Sequence, residues 1–590
     1  MLKRTITVIM LTLLAISVLT STSNLCSARS NRTLDELLVN DFMDVGQRTT
    51  VHPSSFPWGD WQHYHNYTEI VGTLLYLNST YPSIVDVFSI GKSWQNRDIY
   101  CIRLTNETNT HPKPKVFFVG YHHAREPISA ELPLYFAVMA ATEYSTNATI
   151  ATMLNYCEIY VVVALNVDGL EIRLQNEWQR KNAHPFDEDG DGRFDEDPPC
   201  DMNEDGYISD LWRITDNWNN WTFITWEGND TDKDGTFDFV GGVDLNRNYG
   251  YEWNATCDSG SDDPNAEDFR GLAPFSEPET QAIRDLAMQN DFKYAVSFHS
   301  GAEDILYPWG YASLPTPDDT LFIEAANDMS TLTGAINERS GAWYTTSGVW
   351  DDWMYGNRSA YAFTCEIYGN DSAWQYDPIG NDLYWEKGIF QAFNPNETDI
   401  EPVVQRWLPI FTYITDRAIT EAYDVATTDV TSLKTTVGQG YPMCISVTVT
   451  NKGDFTETFN VTVYANTTFI DSKSVTLDNH SSMTVTFTWN TTGFSKGNYN
   501  ISAAASIIPG ETHTIDNNLA DGYVRVGIPG DLYADGAVDS TDLGILGYSW
   551  STSIGDPAYN AVADLDDGGS VDSVDLGIMG AHWGEITTGP

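Results

Sequence analysis

The chain has 590 residues, 31 of them basic against 83 acidic, and a formal net charge of −52. So acidic a chain lacks the basic surface that nucleic-acid binding needs. Hydrophobic residues at 42% and aromatics at 13% exclude a disordered protein, and the length exceeds one ordinary core, so several domains are expected.

Lys3 and Arg4 precede an apolar run from Ile6 to Leu19 and then small polar residues, the pattern of a secretory signal over residues 1–28. The run is short for a membrane span, so the mature chain is expected to be secreted or held at the cell surface, with no span of its own. Residues 29–60 read as a lead-in too short for a folded propeptide. Six cysteines follow Cys26 (Cys101, Cys157, Cys200, Cys257, Cys365 and Cys444), with no Cys-x-x-Cys among them. Export permits disulfides, but their pairing is not readable. Sequons at Asn66, Asn78, Asn106, Asn460 and Asn500 fit an exported glycoprotein.

Residues 61–424 alternate between the two periodicities. Helical patterns at 65–79, 128–143, 276–290 and 400–422 are interleaved with strand patterns at 84–90, 99–104, 115–119, 158–165, 294–299 and 361–367. Ser276-Glu-Pro-Glu279 reads as a capping box with Pro in the first turn. Alternation of this kind predicts an α/β sheet covered on both faces, whose ligand sites lie at strand carboxyl ends. An insertion at 183–240 carries three acidic hexads: Asp187, Asp189 and Asp191; Asp201, Asn203 and Asp205; Asp230, Asp232 and Asp234. Each ends in Gly, the pattern of loops that wrap oxygens around calcium.

His123 and Glu126 follow the strand pattern Lys115 to Val119, three residues apart with Arg125 between them. A catalytic zinc takes three protein ligands and keeps one position open. His299, at the end of another strand, supplies the third candidate, and His122 competes with His123. Glu366 is a carboxylate in the apolar run Ala362-Phe-Thr-Cys-Glu-Ile367, a costly location unless it is used. It is the candidate proton carrier. Arg180 is the candidate oxyanion donor. Asn246 and Arg247 would grip a peptide's free carboxylate, and Tyr344 would close over it.

Together and in order, His123-Ala-Arg-Glu126, Asn166-Val-Asp-Gly169, Arg180-Lys-Asn182, Asp244-Leu-Asn-Arg-Asn248, Ser276-Glu-Pro-Glu-Thr280, His299-Ser300, Ser347-Gly348 through Asp352-Trp353 and Phe363-Thr-Cys-Glu366 resemble the zinc carboxypeptidase family. The resemblance implies a mixed eight-stranded sheet between helices, one catalytic Zn2+, peptide or protein C-termini as substrates and the roles just given, with Arg125 as a secondary substrate contact. Aligned on Trp353, Asp351 falls at the floor of the pocket for the C-terminal side chain, as in relatives that prefer Lys or Arg. The chain departs from the family at Val167, where Pro is usual, and at Trp178-Gln-Arg180, one residue longer than usual.

Residues 425–527 turn to short alternating runs rich in Val, Thr and Asn, which predict a β-sandwich. Residues 528–590 hold a repeat that resembles a dockerin, a pair of calcium loops each followed by a helix, whose family partner is a cohesin domain. Its candidate calcium ligands are Asp531, Asp535, Asp539 and Asp542, then Asp564, Asp566, Asp572 and Asp575, with Tyr533 and Gly568 standing where ligands are expected. Two other classes stay open: a non-catalytic calcium-dependent scaffold on a decayed peptidase fold, and an amidohydrolase of cell-wall peptides.

Overall fold

The computed structural model describes residues 61–174, 176–185, 209–215, 220–227, 241–264, 266–380 and 382–587. A mixed eight-stranded sheet organises the first domain, in the order Val85–Lys92, Asp98–Leu104, Glu158–Val162, Lys115–Gly120, Phe292–His299, Tyr361–Tyr368, Ala302–Tyr307, Ile336–Arg339. The four strands from Glu158–Val162 to Tyr361–Tyr368 run parallel. Val116 to Val119 and Tyr294 to Phe298 are completely buried, as strands covered on both faces must be. Neighbouring side chains of a strand point to opposite faces. Phe118 meets Phe411 of the helix Pro409–Ala422 at 4.4 Å between ring centres, while Phe117 approaches Trp350 of the helix Trp350–Arg358 at 6.1 Å.

Several sequence expectations need correction. Ser276 does not close a capping box: the N-cap is Glu277, and Pro278 takes the first helical position of Pro278–Gln289. Ser276 Oγ turns to Glu277, and Glu279 is buried against Asn182 and the Trp94 amide instead of reaching back. The strand expected at 158–165 stops at Val162. The helix expected at 400–422 is two helices, Ile400–Trp407 and Pro409–Ala422, because Pro409 has no N–H to continue the first. The strands Ala302–Tyr307 and Ile336–Arg339 were not anticipated.

Within the insertion, Asp210–Thr215 and Asn220–Trp226 join Gln375–Gly380 and Leu383–Lys387 in a four-stranded sheet. The hexad candidates Asp187, Asp189, Asp191, Asp201, Asn203, Asp205, Asp230, Asp232 and Asp234 lie outside the described residues, as do the expected signal and lead-in.

The second domain is the expected sandwich, with sheets of three and five strands. Pro442–Asn451 alternates strictly between buried and half-buried positions, one face on the core. Tyr423 joins the two domains: it is fully buried, lies edge-on to Tyr156 and tilted against Phe455, and donates its hydroxyl proton to the Pro112 carbonyl.

In the C-terminal segment the two acidic loops lead into the helices Ser540–Tyr548 and Ser573–Ala581 around a small separate core. Asp539 and Asp572 cap these helices, and Asp542 and Asp575 complete the capping boxes. Asp542 Oδ1 also accepts from the Leu532 and Tyr533 amides, and Asp575 Oδ1 from Leu565 and Asp566, so each loop closes on its own last carboxylate. Asp531 accepts from the Gly536 amide and faces Arg525, and Asp535 accepts from the Ala537 amide. Asp564, Asp566 and Asp575 lie close enough to share a cation.

Among the described residues five cysteines are free and none is paired. No described helix is long and apolar enough to cross a membrane.

Gly120 ends the central strand where the His123 loop begins. A Cβ there would lie 2.2 Å from the Ser129 carbonyl oxygen and 2.9 Å from that of Val163. Gly120→Ala is expected to destabilise the first domain by about 1–3 kcal/mol, read by denaturant unfolding.

Candidate active site

The site is assembled at the carboxyl ends of the parallel strands. Lys115–Gly120 delivers the loop of His123 and Glu126, Phe292–His299 ends on His299, and Tyr361–Tyr368 carries Glu366. Parallel register pairs Glu366 with His299, so the two side chains leave the same face of the sheet. The loop opens with Tyr121 in the left-handed region at φ 60°, a conformation that costs a non-glycine residue about 1 kcal/mol or more. The Tyr121 hydroxyl bonds the Ala124 carbonyl and ties the loop to itself.

His123, Glu126 and His299 are buried and converge. His123 Nδ1 is 2.8 Å from Glu126 Oε1 and 3.2 Å from His299 Nδ1, and His299 Nδ1 is 3.1 Å from Glu126 Oε2. Ligand atoms ~2.1 Å from a tetrahedral zinc stand roughly 3.4 Å apart, so the three residues need little adjustment to hold one. On its far side His123 Nε2 lies 3.1 Å from Asp244 Oδ1. With that nitrogen donating to Asp244, the Nδ1 lone pair faces other lone pairs, an arrangement a cation resolves. Burial works against ionising Glu126, but the two imidazoles hold its carboxyl well below the usual range. The donor set therefore fits a zinc ion.

His122 is excluded from this set. Its Nε2 is 3.0 Å from the Tyr249 hydroxyl and its Nδ1 3.1 Å from Ser297 Oγ, so both ring nitrogens are committed. Burial pushes its pKa well down and keeps it neutral.

Asp244 opens the motif Asp244-Leu-Asn-Arg-Asn248, but its role is set by residues distant in the sequence. Its second oxygen accepts from Arg180 Nε at 2.9 Å, so one buried carboxylate orients both a ligand and the oxyanion candidate. Burial opposes its ionisation, but Arg180 and His123 overcome that and hold it ionised far below the ordinary carboxylate range. Glu366 is half-exposed as a residue, yet its Oε2 is buried and without a hydrogen-bond partner. Burial first, then Glu126, push its pKa well above the ordinary value, with Arg180 opposing.

Asn246 packs against His299, its Nδ2 3.4 Å from Nε2, and its Oδ1 accepts from the Trp350 amide. Arg247 donates to Ser259 Oγ and to the Asn246 carbonyl. Tyr344 is 39% exposed and lies edge-on to Trp343. Arg125 forms a two-pronged pair with Glu267 at 2.7 and 3.1 Å and lies over the Phe393 ring, so its planar fork is already engaged. The adjacent acids Asp351 and Asp352 differ sharply. Asp352 accepts from the Gly310 and Tyr311 amides, whereas Asp351 keeps a buried oxygen without a partner. Burial pushes the Asp351 pKa up to about 6.

A family model described as Peptidase_M14, zinc carboxypeptidase, matches residues 70–408, and one described as CARDB matches residues 425–507. The chain belongs to the zinc carboxypeptidase family. It is 28% identical over 320 residues to carboxypeptidase B of Astacus astacus, a stretch covering 52% of this chain and 87% of that one. It is 26% identical over 348 residues to a zinc carboxypeptidase of Saccharothrix mutabilis subsp. capreolus, covering 56% and 67%. A protein of Ajellomyces dermatitidis described as inactive metallocarboxypeptidase ECM14 is 26% identical over 249 residues, covering 41% and 34%.

Because Asp244 orients His123 from behind, Asp244→Asn is expected to weaken zinc binding about 10- to 100-fold without unfolding the chain. Competition against a chelator of known affinity reads this directly.

Proposed function

We propose that the protein is a secreted zinc metallocarboxypeptidase that removes C-terminal residues from peptides or proteins. One observation carries this reading: His123, Glu126 and His299 converge on a cation-sized point while Glu366 stands beside His299 in register. Bound there, zinc supplies a Lewis acid and brings the pKa of a water toward ~7. Glu366 takes a proton from the attacking water and returns it to the leaving amine. Arg180, braced by Asp244, donates to the oxygen that gains charge. Asn246, Arg247 and Tyr344 receive the substrate's terminal carboxylate and so confine the reaction to chain ends. The inactive relative keeps a scaffold reading in view, but this chain retains all three metal-binding residues and Glu366, which favours catalysis.

The unpartnered carboxylate oxygen of Asp351 supports a preference for C-terminal Lys or Arg, since a cation brought to it would satisfy that buried atom. The acidic C-terminal repeat supports a tether: calcium at Asp531, Asp535, Asp539 and Asp542 and at Asp564, Asp566, Asp572 and Asp575, with a cohesin-type domain as the partner. Calcium in the insertion hexads belongs to the same proposal.

Glu366→Gln is expected to lower kcat about 10³-fold while the chain still binds one zinc in the first domain. Full activity in that variant removes Glu366 from the reaction. Asp351→Ala is expected to cut the preference for C-terminal Arg over Leu by about a hundredfold, roughly 3 kcal/mol. In the unmodified protein the same preference should fade as pH falls through about 6, because protonation removes the charge that holds the cation. Equal turnover of Arg and Leu peptides at pH 8 contradicts the assignment.

A further inference from the structure

Glu126 sits in a turn whose two flanks are held by one distant side chain. Asn394 is 1% exposed. Its Nδ2 donates to the Arg125 carbonyl at 2.9 Å and to the Phe390 carbonyl at 3.1 Å, and its Oδ1 accepts from the Ile128 amide at 3.2 Å. The bonds to Arg125 and Ile128 fall on the residue just before Glu126 and on the residue two after it. These partners also dictate which end of the side-chain amide is which, since carbonyls need its NH2 and an N–H needs its oxygen.

The helix alone does not account for this arrangement. Ile128 opens the helix Ile128–Glu143, whose N-cap is Pro127 and makes no side-chain capping bond. The first N–H groups of a helix have no partner within it. Asn394 supplies one from 266 positions away. A local capping residue would satisfy the helix, but Asn394 reaches the Arg125 carbonyl as well. Phe393 extends the brace. The Arg125 guanidinium lies 4.8 Å over its ring, and a Cβ on Gly301, just past His299 and Ser300, would stand 2.5 Å from its Cε1, so the ring packs directly against that glycine.

We infer that Asn394 is a positioning residue for the metal site: by holding the Arg125 carbonyl and the Ile128 amide it fixes the turn that carries Glu126, so that the carboxylate faces His123 and His299 before the ion arrives. This rests on the reading of Glu126 as a zinc ligand. The cost of ordering the turn is then met during folding and does not subtract from metal affinity.

The test uses the full chain at pH 8. Asn394→Ala removes both long-range bonds. Asn394→Asp keeps an acceptor for the Ile128 amide but sets a carboxylate oxygen against the Arg125 carbonyl. Zinc affinity is read by competition against a chelator, ligand geometry by the visible absorption of the cobalt-loaded chain, and stability by denaturant unfolding of the metal-free chain. Both variants are expected to bind zinc about 10- to 100-fold more weakly, with an altered cobalt spectrum. Unchanged affinity and spectrum in Asn394→Ala, beside a lower unfolding midpoint, would reduce Asn394 to a helix cap and overturn the inference. Full affinity in Asn394→Asp overturns it equally, because the cap alone then suffices. Hydrogen exchange of the unmodified chain needs no variant to fold: protection across residues 121–131 is expected to change less than about tenfold when zinc is removed. A turn that exchanges freely until zinc binds is not held in advance and contradicts the inference. Glu126→Ala separates the two levels. Unchanged zinc affinity there strikes down the metal-site reading and the Asn394 role with it, whereas loss there beside full affinity in Asn394→Ala strikes down Asn394 alone.

Discussion

A single buried carboxylate joins the two halves of this site. Asp244 puts one oxygen on His123 Nε2 and the other on Arg180 Nε, so the imidazole of the candidate metal set and the candidate oxyanion donor are fixed with respect to each other. Burying that charge is tolerable because both neighbours favour it. The consequence reaches outward: once His123 Nε2 is committed, its Nδ1 must look toward Glu126 and His299, where a cation is the natural resolution of three facing lone-pair groups.

The sheet supplies the second constraint. Three adjacent strands present His299, Glu366 and Asp304 in one row, because register alone dictates which side chains share a face. A candidate metal ligand, the candidate proton carrier and a buried acid are thereby held by strands. The loop-borne groups, His123 and Glu126, are the ones that need extra ties, and Tyr121 and Asp244 provide them.

How much of this the sequence disclosed depended on how local each signal was. The three residues that converge as a candidate zinc site were legible because two of them lie three residues apart beside a strongly apolar strand, and the central strands announced themselves by unbroken hydrophobic runs. Asp244 was visible as a letter but not as a role, since its partners lie 121 and 64 positions away. Asp304 gave no signal at all: its strand was missed, and only register brings it opposite Glu366. Ser276 misled because a capping-box pattern matched locally, while Asn182, a distant residue, claimed Glu279. The distinction between Asp351 and Asp352 likewise rests on the Gly310 and Tyr311 amides, which no reading of neighbouring residues would supply.

The central claim is that two imidazoles and one carboxylate hold a zinc ion with a position to spare. Zinc-edge X-ray absorption on the full chain, loaded with one equivalent of zinc, measures that shell most directly. The account predicts two imidazole nitrogens and carboxylate oxygen at about 2.0–2.2 Å plus one further light atom, with no sulfur. A shell containing sulfur, or one with no imidazole, would contradict it.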